Sequence, residues 1–187
     1  MYLYFTNVMA LSLLTAAALS AEPYNRESSG EKPEEFEKNI KPLLAGIASA
    51  KEVSLYEGLP HQFWQKELLE QELKAQKTVT QHKFPFYSQA ITPSAENVKK
   101  LAALCGDQKT FGRFRGPKPC VGGYHPDWCI QWKDGENVFQ VHLCFGCHEA
   151  RLYGPKNDAY SDLSEDALKQ LEDILKPHRK NRPQGGK

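Results

Sequence analysis

The sequence lacks the short motifs that would identify a common enzyme. It contains no Gly-x-Ser-x-Gly, no glycine-rich phosphate-binding loop and no His-Glu-x-x-His, which excludes well-known hydrolase, nucleotide-binding and zinc-protease signatures. It also lacks an excess of one charge, because 24 Lys and Arg residues stand against 23 Asp and Glu. Without a basic stripe to follow a phosphate backbone, nucleic acid is not an expected partner. The composition favours a non-enzymatic protein.

Long apolar runs are equally scarce, and the longest lies near residue 1. Residues 1–21 include an apolar stretch from Val8 to Leu19, followed by the small residues Ser20 and Ala21. This pattern is typical of a secretory signal peptide, and no second apolar span follows it. We therefore expect an exported protein, periplasmic or extracellular, that does not span the membrane after cleavage. Its partners are then expected among proteins of the cell envelope.

The remaining chain divides by composition. Residues 22–41 are polar and densely charged, which predicts a flexible leader without a core of its own. Residues 42–176 have the length of a single domain with one core. Residues 177–187 form a basic tail that we expect to be solvated. Patterns within 42–176 predict an α+β fold, in which a small antiparallel sheet with a C-terminal hairpin packs against about three helices.

Apolar spacing and capping residues locate the three helices. The first covers residues 62–76, and its apolar face is expected to pack on the sheet. The second is predicted to open at Thr92, with Pro93 in the first helical position. The third is capped by Ser164. The apolar face of the first helix carries Phe63, Leu69 and Leu73.

The strongest local pattern is a β-hairpin between residues 128 and 144. Residues 128–133 and 138–144 alternate apolar and polar side chains around turn residues 134–137, which is typical of half-buried strands. The register is well specified, because a one-residue slip would expose the tryptophans. The predicted apolar pairs are Trp132 with Phe139, Ile130 with Val141 and Trp128 with Leu143. The opposite face then carries Cys129, Gln131, Gln140, His142 and Cys144.

The cysteines suggest a site, since four of the five lie between residues 120 and 147. Cys120-x4-His125 and Cys144-x2-Cys147 bring two short pairs of metal ligands to the ends of the hairpin. Structural zinc takes four thiolate and imidazole ligands, and three cysteines with one histidine are a usual set. One interpretation is therefore a zinc knuckle formed by Cys120, His125, Cys144 and Cys147.

Two other interpretations stay open. Cys144-x-x-Cys147-His148 matches the motif that attaches covalent haem c, where two thiols bond the haem and the imidazole binds iron. The protein would then be a monohaem electron carrier, although the only methionines are Met1 and Met9. Alternatively, because exported proteins meet an oxidising compartment, Cys144 could form a disulfide with Cys147 or Cys129.

The same segment resembles one found in small, uncharacterised exported bacterial proteins. The resemblance rests on a Cys-x4-His-Pro element, a strand-turn-strand, and a closing Leu-Cys-Phe-Gly-Cys. It implies no known activity. It does imply that Cys120, His125, Cys144 and Cys147 act as one set, with His148 incidental. This favours a structural cluster that holds the hairpin of a binding or assembly protein.

A basic and aromatic segment precedes the cysteine cluster. Residues 109–119 place three basic side chains around Phe111 and Phe114. One interpretation is a binding lip for an acidic or sugar ligand, formed by Arg113, Arg115 and Lys118. The other is a surface loop pinned by two buried phenylalanines.

Overall fold

The computed structural model describes residues 32–116 and 122–182. The predicted signal peptide, Lys118 and Cys120 lie outside these residues. The described chain contains four α-helices and two antiparallel sheets, which confirms the predicted α+β fold. None of these helices is long and apolar enough to cross a membrane. The helices are α1 (Pro33–Ser49), α2 (Lys66–Ala75), α3 (Ala95–Cys105) and α4 (Glu165–Leu175).

Eight strands make up the two sheets. They are β1 (Glu52–Glu57), β2 (Thr78–Gln81), β3 (Phe84–Tyr87), β4 (Phe111–Arg113), β5 (Trp128–Asp134), β6 (Asn137–Cys144), β7 (Glu149–Tyr153) and β8 (Asp158–Leu163). The larger sheet has the order β1-β5-β6-β7-β8-β4, and β2 pairs with β3 in a separate hairpin. The chain from β5 to β8 is thus a meander at the centre of the molecule.

The β5–β6 hairpin has the predicted register, since Trp132 pairs with Phe139 and Trp128 with Leu143. The strands run one residue further than predicted on each side, so the loop contains only Gly135 and Glu136. Gly135 has a φ of 59°, a left-handed conformation that glycine adopts without steric cost. The tight turn therefore fixes the pairing that the apolar pattern selects.

Helices α1, α3 and α4 cover the apolar face of the larger sheet. The structure corrects the predicted leader here, because α1 begins at Pro33 and not after residue 41. Phe36 and Ile40 lie within that leader and are almost fully buried in the core. Their spacing continues through the later apolar residues of α1, so one helical face supplies the whole contact. The buried residues of α1 are Phe36, Ile40, Leu43, Leu44 and Ile47.

The Phe139 ring occupies a position between α1 and the β7–β8 turn that only glycine neighbours allow. A Cβ atom added to Gly46 of α1 would overlap this ring. One added to Gly154 would lie 3.2 Å from the ring and 2.6 Å from Leu43. Two glycines that are distant in the sequence therefore let α1 approach the sheet closely.

Two helices differ from their predicted form. Helix α2 begins at Lys66, and its only buried residue is Glu72, so its apolar face does not pack on the sheet as predicted. Helix α3 is capped by Ser94, whose hydroxyl accepts a hydrogen bond from the Asn97 backbone N–H, and not by Thr92. The predicted cap of α4 is confirmed, because Ser164 accepts from the Ala167 N–H.

The β2–β3 hairpin lies over the polar face of the larger sheet. Its turn residues His82 and Lys83 have φ values of 45° and 73°, which are unusual for residues other than glycine. The His82 ring stacks on Tyr153 of β7 at 3.7 Å. That stacking holds the turn against the sheet and covers the central strands.

Candidate functional site

The turn between β6 and β7 brings Cys144 and Cys147 together. Both side chains are almost fully buried and form a small cluster with Tyr124. The Cys147 thiol donates to the Gly123 carbonyl at 3.5 Å. His148 has a φ of 56°, and its side chain is exposed. The two thiols therefore face inwards, while the adjacent imidazole faces solvent.

Backbone hydrogen bonds hold this turn in place. The Phe145 N–H donates to Asp127 Oδ2 at 3.0 Å, and the His148 N–H donates to the Phe145 carbonyl at 3.2 Å. The Leu163 N–H donates to the His148 carbonyl at 2.9 Å. Each bond satisfies a polar group that would otherwise be costly to bury. These contacts give the turn a defined shape.

Among the residues that it describes, the structure brings together only two of the four proposed zinc ligands. Cys120 lies outside the described residues, and His125 is not grouped with Cys144 and Cys147. Across residues 32–116 and 122–182, no three or more His, Cys, Asp or Glu side chains are placed to hold a metal ion. Tyr124, next to His125 in the chain, is the residue that packs on the cysteines. The two described cysteines supply half of a tetrahedral zinc site.

The haem interpretation fits the described geometry poorly. Attachment needs both thiols beside the haem vinyl groups and the neighbouring imidazole directed at the iron. Here Cys144 and Cys147 are buried beneath Tyr124, whereas His148 is exposed. The motif lies in a tight turn between β6 and β7. Its two thiols are buried, whereas its imidazole is exposed.

Neither disulfide predicted for Cys144 is formed in the described chain, because Cys105, Cys129 and Cys144 are free thiols. Cys129 pairs across the hairpin with His142, so Cys144 is not its cross-strand neighbour. Cys105 is fully buried in the core of α1 and α3, and burial raises the pKa of its thiol. It acts as a small apolar side chain, as cysteine often does.

The polar face of the hairpin forms a buried group of neutral side chains under β2–β3. His142 Nε2 lies 3.2 Å from Gln140 Oε1, and its Nδ1 has no hydrogen-bond partner among the residues that the structure describes. Burial lowers the pKa of His142 to about 3, with smaller contributions from His82 and Arg151. Burial also raises the pKa of Cys129. A neutral thiol beside a neutral imidazole is not an activated nucleophile.

The basic segment before the cysteine cluster is pinned by its phenylalanines. Phe111 and Phe114 are buried, and Phe114 stacks on Tyr160 at 4.0 Å. Arg113 lies in β4 and Arg115 follows it as an exposed residue. Tyr160 also packs on the cysteine cluster, so the segment lies beside that cluster. Lys118, the third member of the proposed lip, lies outside the described residues.

The most exposed large apolar side chains of the described chain lie before and on α2. Phe63 is 58% exposed and Trp64 is 63% exposed, and their rings meet edge to face at 5.0 Å. We call this pair the aromatic platform. Leu73 of α2 is also exposed. Contiguous exposed aromatic surface of this kind is typical of an interaction site.

His61 fixes the backbone of the aromatic platform. Its Nδ1 atom accepts hydrogen bonds from the N–H groups of Phe63 at 3.0 Å and Trp64 at 3.3 Å. Its own N–H donates to Gln65 Oε1 at 3.1 Å. The Cβ atom of Phe63 and the His61 ring both lie so close to Gly122 that a side chain there would collide with them. The platform is therefore held in one conformation although it is exposed.

His125 lies beside the platform. Its ring centroid is 4.7 Å from that of His61. Burial lowers the pKa of His125 to about 4 and also lowers that of His61, while nearby Asp127 opposes both shifts. His125 also lines a shallow apolar cleft of about 50 Å³ together with Leu59, Pro60, Gln62, Leu69, Phe84, Pro85, Tyr124 and Pro126. Two neutral imidazoles and an apolar cleft thus adjoin the platform.

The basic tail is not simply solvated as predicted. Residues Arg179–Arg182, which we call the C-terminal strap, bind the fully buried carboxylate of Glu57. The N–H groups of Lys180, Asn181 and Arg182 donate to it at 3.1, 2.8 and 3.1 Å. The Arg182 guanidinium also pairs with Asp127 at 3.0 Å and donates to Gln65 Oε1. The strap therefore contacts Gln65, the residue that follows the platform, although the two segments are far apart in the sequence.

Sequence reasoning did not find the platform or the strap. The helical spacing of residues 62–76 predicted that Phe63, Leu69 and Leu73 would be buried. Adjacent Phe63 and Trp64 were one available signal, because two consecutive large side chains cannot both follow one helical face. The chain was compared with protein-family models, curated proteins and solved structures, and none of them matches it.

Proposed function

We propose that this is an exported, non-catalytic binding protein that recognises an apolar surface of a partner protein in the cell envelope through its aromatic platform. In this proposal the turn that holds Cys144 and Cys147 is structural: it closes β6 against β7 and supports the loop at Tyr124. Neither a haem nor a four-ligand zinc site is required.

The observation that carries the proposal is the exposure of Phe63 and Trp64 on a backbone that His61 holds rigid. Exposed tryptophan and other aromatic side chains often supply most of the binding energy of a protein interface. A platform that is already ordered loses less conformational entropy when it binds. The cleft lined by His125 and Gln62 extends the apolar surface beside the platform.

The titratable groups support binding over catalysis. Catalysis by a nucleophile or a general base needs a group that is charged or poised to exchange a proton near neutral pH. The buried pair Cys129 and His142 is held neutral, with pKa values shifted away from neutrality by burial. The partly buried His125 is held neutral for the same reason.

Photo-crosslinking in cells that export the protein tests the proposal. Benzoylphenylalanine is placed at exposed Gln62, which keeps Phe63 and Trp64 intact, and a matched probe is placed at exposed Lys156 in the β7–β8 turn. We expect a discrete adduct with a second polypeptide from position 62 only. Phe63→Ser with Trp64→Ser should abolish it, because the anchor side chains are lost.

Two outcomes would contradict the proposal. An adduct that survives the double serine variant would show that the platform is not the binding surface. The lack of any position-62 adduct, combined with a blue shift of Trp64 fluorescence on adding cell-wall oligosaccharides, would identify a glycan-binding protein. Trp64 is a usable probe because Trp128 and Trp132 are fully buried.

A further inference from the structure

A continuous set of hydrogen bonds runs from the C-terminal strap to the aromatic platform. Arg182 Nη2 donates to Gln65 Oε1, and the same oxygen accepts the His61 N–H at 3.1 Å. His61 Nδ1 then accepts the N–H groups of Phe63 and Trp64. Residues separated by more than one hundred positions along the chain are thus linked through two side chains.

The strap end of this set is firmly anchored. The Glu57 carboxylate is fully buried and accepts three strap N–H groups, and hydrogen bonds to a buried charge are among the stronger ones in proteins. Arg182 is only 13% exposed and makes its ion pair with Asp127 on the same side. These contacts therefore fix the position of the Arg182 guanidinium independently of its hydrogen bond to Gln65.

At the platform end, the same set of hydrogen bonds reaches the backbone of the two aromatic residues. Phe63 and Trp64 are exposed and precede the first turn of α2, where backbone N–H groups have no partner within the helix. His61 supplies that partner, and Gln65 holds the His61 backbone. Without the Arg182 contact, the Gln65 amide is held less firmly, and the His61 N–H that donates to it then loses part of its restraint.

We infer that Arg182 is a positioning residue that couples docking of the C-terminal strap to the order of the aromatic platform. The inference rests on the proposed function for its biological meaning, because an ordered platform binds its partner more tightly. Coupling of this kind is reciprocal. A partner bound at Phe63 and Trp64 also strengthens docking of the strap, and any event that releases the strap weakens the partner complex.

Hydrogen exchange at single amides of the full-length protein measures this coupling without a partner. We compare wild type with Arg182→Gln, Gln65→Ala and the double variant. Lys180→Ala is the matched control, because Lys180 contributes its backbone N–H to Glu57 and its side chain is exposed. The Phe63 and Trp64 amides are followed beside those of Ile130 and Val141 in the central strands.

We expect Arg182→Gln to make exchange at Phe63 and Trp64 roughly five- to tenfold faster, as for the loss of about one hydrogen bond. Exchange at Ile130 and Val141 should not change. Gln65→Ala should have the same effect, and the double variant should add nothing, because both residues belong to one set of contacts. Lys180→Ala should behave as wild type.

Additive effects of Arg182→Gln and Gln65→Ala, or equal acceleration at all four amides, would overturn the inference. The first result would mean that the two side chains act independently, and the second that Arg182 only stabilises the whole fold. Because these rates are measured on the free protein, they stand or fall separately from the crosslinking experiment. Failure of the crosslink alone would remove the proposed function and leave the coupling intact.

Discussion

His61 and His142 each keep one ring nitrogen unprotonated in the folded protein. His61 uses that nitrogen to accept two backbone N–H groups of the platform. His142 keeps its Nδ1 buried, with no partner within residues 32–116 and 122–182. A protonated imidazole has two donors and no acceptor, so acid removes the support of the platform in the first case. In the second case it forces a charge into the buried layer under β2–β3.

We expect stability to fall between about pH 6.5 and pH 4. Burial holds the pKa of His142 at about 3 and that of His125 at about 4, against 6.5 for an unperturbed imidazole. In this range the unfolded chain binds more protons than the folded protein, so lowering the pH favours unfolding. For His142 the loss at pH 5 is about 2 kcal/mol.

Urea unfolding at pH 7 and pH 5 measures this effect. His142→Phe keeps an aromatic ring among Phe84, Phe86 and Tyr153, and its free energy of unfolding should depend less on pH than that of wild type. His148→Ala, which changes an exposed side chain, is the control and should keep the wild-type dependence. Equal pH dependence in wild type and His142→Phe would show that His142 is not held neutral.

Among the helices and strands, sequence patterns correctly predicted the features that depend on only a few neighbouring residues. The β5–β6 register followed from alternation and a glycine turn, because both act within a few residues. The start of α1 was missed, since the charged residues around Phe36 and Ile40 hid two apolar positions in a polar segment. The pattern of α2 predicted a helix correctly, but periodicity does not say which apolar face another element covers.

The candidate site was less predictable than the hairpin. The alternating pattern correctly placed Cys144 at the end of the second hairpin strand, and Cys147 lies in the turn that follows. A zinc site that combines His125 with these cysteines would require the His125 and Tyr124 side chains to point to the same side of the chain. Neighbouring residues of an extended segment point to opposite sides, so Tyr124 reaches the cysteines and His125 reaches His61.

Matched substitutions in α1 and α2 test which helix contributes to the core. Ile40 is fully buried and Leu73 is 37% exposed. Ile40→Ala should lower the free energy of unfolding by about 2–5 kcal/mol, because it leaves a cavity. Leu73→Ala should change it by less than about 0.5 kcal/mol. Both values come from urea unfolding monitored by circular dichroism, and similar losses for the two variants would contradict the packing described for α2.

For the molecule as a whole, the strap connects the C-terminal end of the fold to strand β1. Glu57 would be a costly residue to bury alone, since a carboxylate without partners loses its hydration. Three backbone N–H groups and the nearby Arg179 at 3.9 Å replace that hydration. This arrangement could not be predicted from the sequence, because it joins an acidic residue of a strand to the backbone of a segment that resembles a solvated tail.

Two shortened chains separate the strap from the residues after it. A chain that ends at His178 leaves Glu57 buried without its donors, and its free energy of unfolding should fall by about 3–5 kcal/mol. Glu57→Gln in that chain should restore part of the loss, because the amide carries no charge. A chain that ends at Arg182 keeps the strap contacts described above and is the reference against which the shorter chain is measured in urea. Equal stability of the two shortened chains would show that the strap contributes nothing.

The contact of Phe139 with Gly46 and Gly154 has a consequence for how this sequence can change over generations. An alanine at position 46 is blocked by the ring of a residue more than ninety positions away, and a side chain at position 154 meets both that ring and Leu43. A smaller residue at position 139 would remove the obstacle at position 46, whereas a side chain at position 154 would still meet Leu43. Positions 46 and 139 therefore form one evolutionary unit, in which loss of the ring must precede a gain of side chain at position 46, while position 154 depends on Leu43 as well.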